Sequence, residues 1–216
     1  RKAMAAAGID CLFLSSPESM YYVSGYRCMW YQTESPIEWS ATNGIAVHID
    51  HDHYIHFETE REAVLPRTFT VDRETRYFPK DSYRDGTRYI AEELKAEGWL
   101  KGNIGIEMYA MRPSRAISDR FQAAFEAAGA RVVEGSAILR EVRWVKSPAE
   151  MAMLKESPRI ATVGISRALE LLRPGVMELE VQGEITLAMA REGGEQQAQI
   201  MPVISGKKSA ATHAYT

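Results

Sequence analysis

The stretch that decides the fold of this chain is residues 8–25, which read GIDCLFLSSPESMYYVSG. The apolar run from Ile9 to Leu14 predicts a short buried strand. Ser16 and Pro17 then supply an N-cap and a proline at the first helical position, which predict a helix that ends at Gly25. A buried strand followed directly by a helix is typical of α/β domains.

The next segment combines a loop with a predicted β-hairpin. Residues 27–42 are rich in aromatic side chains and show little periodicity, which predicts a loop. Residues 44–49 and 54–58 have the composition of strands, and the Asp and His residues between them favour a turn. Residues 68–72 are a further candidate strand.

A second alternation of helices and strands follows. Residues 83–97 and 113–128 carry apolar side chains at helical spacing, and each stretch is followed by a glycine that stops the helix. Residues 103–107 and 130–134 are predicted strands. The order of elements favours a mostly parallel or mixed sheet flanked by helices, which we assign to an α/β domain over residues 1–143.

Residues 144–216 are predicted to form a second domain. Ser147 begins a capping box, which opens a helix predicted to run to Leu172. Residues 178–192 are a second predicted helix, and residues 198–205 are a predicted strand. Two helices and one strand hold only part of a hydrophobic core, so we expect this domain to be incomplete in the chain.

An internal proline, Pro158, falls within the first of these predicted helices. Pro158 has no backbone N–H, and its ring clashes with the carbonyl of Leu154, at a cost of about 3 kcal/mol in a straight helix. We therefore expect a kink or break at residues 154–158. Met177 precedes the second helix and offers no side-chain acceptor, so a weak N-terminal cap is expected there.

Composition places the chain among ordinary globular proteins. The 216 residues carry 26 Lys and Arg against 29 Asp and Glu, a formal net charge of −3. This balance gives no electrostatic reason to expect nucleic acid or an anionic membrane as a partner. No apolar run reaches the roughly 18 residues that a membrane span needs. Two cysteines do not form a disulfide framework, so we expect reduced thiols and a cytoplasmic protein.

Four of the five histidines, namely His48, His51, His53 and His56, fall within nine residues. Residues two apart on a strand share a face, which would let His51 and His53 hold a metal ion together. The alternative is that these side chains are exposed polar groups at the tip of a hairpin. The sequence favours the alternative, because the spacing matches no closed zinc pattern and no thiolate is near.

The cysteines and the aromatic residues of the loop give no clear chemistry. Cys11 lies in an apolar strand and is predicted to be core, whereas Cys28 lies in a loop with no base nearby in sequence. An aromatic patch in and beside the loop consists of Tyr26, Trp30, Tyr31 and Trp39. It is either a local core beneath a long loop or the rim of an interface or pocket.

Five motifs in order resemble those of the creatinase/prolidase/aminopeptidase P family, whose catalytic domains have the pita-bread fold. They are GIDCLFL with SPESMYYVSGY near the start, IGIE at 104–107, LREVRWVKSPAE at 139–150, LRPGVMELEV at 172–181, and Ser205-Gly206 with His213. The resemblance implies a creatinase N-terminal-like domain over residues 1–143. It also implies that residues 144–216 are the first part of an α+β pita-bread catalytic domain.

The resemblance also implies an activity. Members of this type hydrolyse an amide C–N bond, with short Xaa-Pro peptides as the default substrate, and they act as homodimers. Their metallopeptidases hold two divalent ions, such as Mn²⁺ or Co²⁺, on residues downstream of the position that matches His213. This chain is therefore expected to lack the metal ligands and to be inactive alone. His213 matches the first active-site histidine, which makes it the candidate catalytic and substrate-binding residue.

Two other functions remain open. Creatinase-like members lack a functional metal set, and their matching histidine serves as the acid and base, so hydrolysis of a small guanidino or cyclic amidine compound without metal is the first alternative. The second alternative is a pita-bread protein that binds a ligand without catalysis. The sequence downstream of this chain would distinguish the three functions by its metal ligands and histidines.

Overall fold

A computed structural model describes residues 1–28, 41–71, 74–197, 201–211 and 214 of the chain. The chain divides into two compact units, Arg1–Val145 and Lys146–Thr216. None of the described helices combines the length and apolar character that a bilayer span requires.

The first unit contains a mixed sheet. Its described strands are β1 (Cys11–Leu14), β2 (Gly44–His48), β3 (Tyr54–Thr59), β4 (Thr75–Phe78), β5 (Asn103–Ile106) and β6 (Arg131–Glu134). They lie in the order β4-β3-β2-β1-β5-β6. β2 is antiparallel to both β1 and β3, so the predicted hairpin is confirmed. The pairs β1–β5, β5–β6 and β3–β4 are parallel. The predicted fold class, a mixed sheet flanked by helices, is confirmed.

Helices cover both faces of this sheet. They are α1 (Lys2–Ala6), α2 (Pro17–Ser24), α3 (Val64–Phe69), α4 (Thr87–Ala96), α5 (Arg115–Ala127) and α6 (Ser136–Trp144). Side chains of α4 and α5 share one buried cluster with Cys11 and Phe13. Side chains of α1, α2 and α6 share the other with Leu12 and Leu14. The sheet is therefore the middle layer of a three-layer α/β/α sandwich.

β1 is buried on both of its faces. Successive side chains of a strand point to opposite faces, and all four residues of β1 are buried. The ring centroid of Phe13 lies 4.6 Å from that of Phe121 and 5.5 Å from that of Phe125. A run of apolar residues without alternation is what a strand covered on both sides requires, and this explains the Ile9 to Leu14 stretch.

The predicted strand at residues 68–72 is wrong over its described part. α3 runs through Phe69, and the strand of this region, β4, begins at Thr75. Pro66 lies in the first turn of α3, where its missing N–H would have no partner within the helix. The hydroxyl of Thr70 donates to the Pro66 carbonyl at 2.6 Å at the end of the helix. The strand propensity of Thr and Phe is outweighed by this local helical turn.

Two other helices differ from the sequence-based expectation. The helix predicted from residue 83 begins at Thr87, because Asp85 Oδ1 accepts hydrogen bonds from the backbone N–H and the hydroxyl of Thr87, at 3.0 and 2.7 Å. The sequence pattern predicts no element at the position of α6. This helix is anchored by two buried side chains, Ile138 and Leu139.

The second unit is built on two helices packed against each other, α7 (Pro148–Leu171) and α8 (Glu178–Arg191). The predicted capping box is confirmed: the Ser147 hydroxyl accepts from the backbone N–H of Glu150, whose carboxylate accepts from the backbone N–H of Ser147. Gly164 is the buried residue of α7, and a Cβ there would come within 2.9 Å of Ile185 and 2.8 Å of Met189. The glycine therefore allows the close approach of α7 and α8.

A kink or break was expected at residues 154–158, and the break is wrong, because α7 continues through Pro158. All side chains from Met151 to Arg159 are exposed, so the carbonyl that the proline leaves without a donor can bond to water. An ion pair from Arg159 to Glu192 at 2.7 Å joins the helix to the end of α8 just after the proline. The capping box and the packing against α8 support the helix on either side of this defect.

The end of the second unit departs from the predicted strand at 198–205. Residues 201–205 have no regular secondary structure, and residues 198–200 lie outside the described residues. A short 3-10 helix, Gly206–Ala210, follows. The weak cap expected at Met177 is confirmed, since no side-chain hydrogen bond caps α8 there.

The carboxylate of Glu107, the residue after β5, joins the neighbouring parallel strands β1 and β5. Its Oε2 accepts from the backbone N–H groups of Ser15 and Ser16, at 2.8 and 2.7 Å. Its Oε1 accepts from the hydroxyls of Ser16 and Ser19, at 3.0 and 2.5 Å. Glu107 is only 5% exposed, so these bonds replace its hydration. Ser16 is the N-cap of α2, where the helix dipole also favours a negative charge.

We expect Glu107→Ala to lower the free energy of unfolding by about 3 kcal/mol, because it leaves two buried N–H groups without acceptors. Glu134→Ala is the matched control. Glu134 is exposed at the end of β6 and accepts one hydrogen bond, from the backbone N–H of Ser136 at 2.6 Å, so a loss of about 1 kcal/mol or less is expected. Urea unfolding of both variants measures the difference, and equal losses would contradict the role given to Glu107.

Candidate functional site

His213, the candidate catalytic and substrate-binding residue, lies outside the residues that the structure describes. The stretch that leads toward it is described up to Ala211. Glu178 Oε1 accepts from the backbone N–H and the hydroxyl of Ser205, at 2.6 and 2.7 Å, and Oε2 pairs with the ammonium of Lys208. The hydrogen bond from Lys208, and then those from Ser205, lower the pKa of Glu178. This stretch is therefore tied to the first turn of α8.

Three of the four clustered histidines surround one tryptophan. The imidazole centroids of His48, His51 and His53 lie 5.3, 5.1 and 5.6 Å from that of Trp99. The ring of His51 stacks on the indole, at an interplanar angle of 29°. Trp99 is 1% exposed, so the turn between β2 and β3 forms a cover over it. The sequence offers no signal for this packing, because Trp99 lies beyond α4 and β4.

Among the described residues, these imidazoles belong to no group of three or more His, Cys, Asp or Glu side chains that could hold a metal ion. His48 Nδ1 accepts the backbone N–H of Asp50 at 3.2 Å, and His53 Nε2 lies 3.5 Å from a carboxylate oxygen of Glu74. Burial, and then repulsion from His51, lower the pKa of His48. The geometry assigns these rings to packing on Trp99.

The fourth clustered histidine lies beside a buried carboxylate that the sequence analysis missed. Glu58 Oε2 accepts from the hydroxyl of Tyr26 and from the side-chain amide of Asn43, the latter at 3.0 Å. Its Oε1 accepts from the backbone N–H of Thr59 at 2.7 Å. The ring centroid of His56 lies 4.5 Å from that of Tyr26, and His56 and Glu58 are both fully buried. The sequence signal for this network is an acidic residue, Glu58, within the largely apolar pattern of β3.

Burial decides the protonation of this network. It raises the pKa of Glu58, and the hydrogen bond from Tyr26 opposes that rise. Burial, and then the charge of Glu58, raise the pKa of Tyr26, so the phenol stays a donor. Tyr26 is 0% exposed, which supports the local-core interpretation for this member of the aromatic patch. The patch members Trp30, Tyr31 and Trp39 lie outside the described residues.

The two cysteines are buried free thiols. Cys11 is a member of the cluster beneath α4 and α5, as predicted, and burial raises its pKa. Cys28 belongs to the cluster on the opposite face of the sheet. A thiol is nucleophilic only as the thiolate, which the raised pKa of Cys11 disfavours.

Known proteins share the fold described above and similar sequence. The family model described as "Creatinase/Prolidase N-terminal domain" matches residues 1–145. A creatinase of Bacillus sp. is 27% identical over 193 residues, which cover 89% of this chain and 43% of that protein. The Xaa-Pro aminopeptidase of Escherichia coli is 31% identical over 86 residues, or 40% of this chain and 20% of that protein. The crystal structure of an X-Pro aminopeptidase from Thermotoga maritima matches with a TM-score of 0.71 and 20% identity, over 99% of this chain and 55% of that one.

The fold and the comparisons together define the class of this protein. A mixed sheet between two layers of helices, continued by a pair of packed helices, is the fold shared with pita-bread peptidases. The chain belongs to the creatinase/prolidase family, through the N-terminal domain that residues 1–145 form. It spans 43% of the length of the creatinase and 55% of the X-Pro aminopeptidase chain.

We expect the destabilisation caused by Glu58→Gln to be larger at pH 4 than at pH 7. Burial raises the pKa of Glu58 in the folded state, so the stability contributed by this carboxyl is present at low pH and is lost as the pH rises through its folded pKa. The glutamine does not ionise, so the variant does not lose this contribution to the free energy of unfolding as the pH rises. Urea unfolding at the two pH values gives the two differences in free energy.

Tyr26→Phe is the control for this prediction. It removes a hydrogen bond that lowers the pKa of Glu58 but keeps the carboxyl, so the loss of stability with rising pH should persist or become steeper. A destabilisation by Glu58→Gln that stays constant or grows from pH 4 to pH 7 would show that burial does not raise this pKa.

Proposed function

We propose that this chain is the N-terminal part of a hydrolase that cleaves an amide C–N bond, with short Xaa-Pro peptides as substrates. The observation that carries the proposal is membership of the creatinase/prolidase family over residues 1–145. Relatives named creatinase and Xaa-Pro aminopeptidase support hydrolysis as the type of reaction. A homodimer in the cytoplasm is part of the same proposal, and light scattering of the purified complete protein measures the dimer.

The second unit supports the view that further chain completes it. Large apolar side chains of α7 and α8 are exposed, among them Met153 (70%), Ile165 (61%), Leu169 (68%) and Leu179 (66%). Exposed apolar surface of this kind is stabilised when other elements pack on it. We therefore propose that residues 144–216 are the first part of a pita-bread catalytic domain.

Within the proposed reaction we assign His213 as the residue of this chain that acts on the substrate. Hydrolysis of an amide needs a proton for the departing nitrogen, and an imidazole with an ordinary pKa of roughly 6.5 exchanges protons at neutral pH. The described residues contain no group of three or more His, Cys, Asp or Glu side chains that could hold a divalent ion. The two ions, such as Mn²⁺ or Co²⁺, proposed for a peptidase of this type are therefore assigned to none of the residues that the structure describes.

A second candidate function is hydrolysis of a small guanidino or amidine compound without metal. The creatinase that matches 89% of this chain favours it. The two functions require different residues downstream of His213. The metallopeptidase is favoured by two Asp, one further His and two Glu at the positions of the metal ligands. The second candidate is favoured if these ligands are missing but the histidines are present. Loss of His213 and of the ligands in close homologues would favour binding without catalysis.

We expect His213→Ala in the complete protein to lower turnover by ~10²–10⁴ if the imidazole transfers protons. A fall in kcat identifies proton transfer, and a rise in KM alone identifies substrate binding. His51→Ala is the control, because His51 packs on Trp99 in the first unit. Steady-state kinetics on Xaa-Pro dipeptides and on creatine measure the effect, and unchanged kinetics for His213→Ala would remove it from the site.

We expect the purified 216-residue chain to hydrolyse no Xaa-Pro dipeptide, even with added Mn²⁺ or Co²⁺. The physical reason is that two divalent ions need a set of carboxylate and imidazole ligands, which the described residues do not provide. The complete protein, assayed in parallel with the same ions, is the positive control. Turnover by the 216-residue chain would refute the assignment of the ligands to the rest of the protein.

A further inference from the structure

Glu178 lies in the first turn of α8, where a carboxylate usually interacts with the N-terminus of its own helix. An acidic side chain in the first helical turn interacts favourably with the helix dipole. Met177, at the N-cap, makes no side-chain hydrogen bond, so the first turn of α8 has free N–H groups to satisfy. Yet the oxygens of Glu178 accept from Ser205 and Lys208, which follow it by 27 and 30 residues. This side chain therefore organises a distant stretch of the chain.

Residues 205–211 are joined to α8 through Glu178. In the part of the chain that the structure describes, the hydrogen bonds and ion pairs that join this stretch to α7 or α8 all end on Glu178. Its other hydrogen bonds are local turns, such as that from the backbone N–H of Ala211 to the carbonyl of Lys208 at 2.9 Å. Local turns fix the shape of the stretch, whereas the carboxylate fixes it to the helix.

The carboxylate is also the more enclosed member of its ion pair. The side chain of Glu178 is 18% exposed, against 48% for Lys208. The backbone N–H and hydroxyl of Ser205 converge on one oxygen, which leaves the other for the ammonium. Charge-assisted hydrogen bonds of this kind are stronger than neutral ones, so the contact holds backbone as well as side chain.

We propose that Glu178 is a positioning residue: it holds Ser205 and Lys208 against α8, in the stretch that precedes His213 in the sequence. This inference rests on the proposed function, since it takes His213 as the group that acts on the substrate. Glu178 has no contact with substrate in this proposal, so its effect on turnover passes through the stretch that it holds.

Four variants of the complete protein separate these contacts. Glu178→Ala removes all of them. Glu178→Gln keeps an acceptor for Ser205 but loses the ion pair, and Lys208→Met loses the same ion pair from the other side. Glu180→Gln is the matched control, because Glu180 is an exposed acidic residue in the same helical turn.

Hydrogen exchange measured by mass spectrometry on peptides covering residues 201–211 is the first readout. Glu178→Ala is expected to speed exchange there about tenfold, and Glu178→Gln and Lys208→Met by a smaller and equal factor. Exchange in α7 and in the rest of α8 stays unchanged, and Glu180→Gln changes neither region. In the same series kcat falls in the same order, about tenfold for Glu178→Ala, while KM stays within about twofold.

Unchanged exchange at residues 201–211 in Glu178→Ala overturns the proposal. A rise spread evenly over α7 and α8 also overturns it, because that pattern marks general destabilisation. Faster local exchange with an unchanged kcat shows that the contact is structural and has no positioning role. Failure of the proposed function gives a different result, because the unmodified protein then has no turnover for His213→Ala to reduce. In that case the positioning role is also wrong, even where Glu178→Ala speeds local exchange.

Discussion

The hydrogen-bonded carboxylate of Glu107 is the contact on which the architecture of the first unit depends. A buried charge is tolerated only where hydrogen bonds replace its hydration, and its donors come from Ser15, Ser16 and Ser19. β1 and β5 are parallel neighbours, so their carboxyl ends lie at one edge of the sheet. The carboxylate that ends one strand therefore meets the helix that begins after the other. This side chain therefore couples the pairing of β1 with β5 to the entry of the chain into α2.

The first unit contains a second buried carboxylate, and the contrast between the two is informative. Glu107 accepts two backbone N–H groups beside a helix N-terminus, where negative charge is favoured. Glu58 relies instead on one backbone N–H and on the side chains of Tyr26 and Asn43, and burial raises its pKa. The same residue type thus joins two parallel strands in one place, and in the other it belongs to a buried side-chain network in which burial raises its pKa.

How far the sequence predicts this structure depends on whether local pattern or distant packing decides each element. The apolar run of β1 and the capping box at Ser147 are local signals, and both were predicted correctly. The break expected at Pro158 did not occur, because packing against α8 and exposure of the defect outweigh one lost hydrogen bond. The contacts of Trp99 with the histidines and of Glu58 with Tyr26 join residues far apart in the chain. Periodicity carries no information about such pairs, so these features needed the structure.

His213 and Glu178 are supported by different kinds of evidence. His213 is a candidate only through the family resemblance, since no spacing of residue types within the chain singles it out. Glu178 is singled out by geometry and resembles Glu107 in accepting from serine donors. The serines that donate to Glu107 lie at the N-terminus of α2, whereas Glu178 itself lies in the first turn of α8 and accepts from a distant serine. Glu107 is 5% exposed, and four hydrogen bonds hold it. The partners of Glu178 are exposed, so salt and solvent weaken its ion pair. The same kind of contact is therefore shielded from solvent in the first unit and open to it in the second.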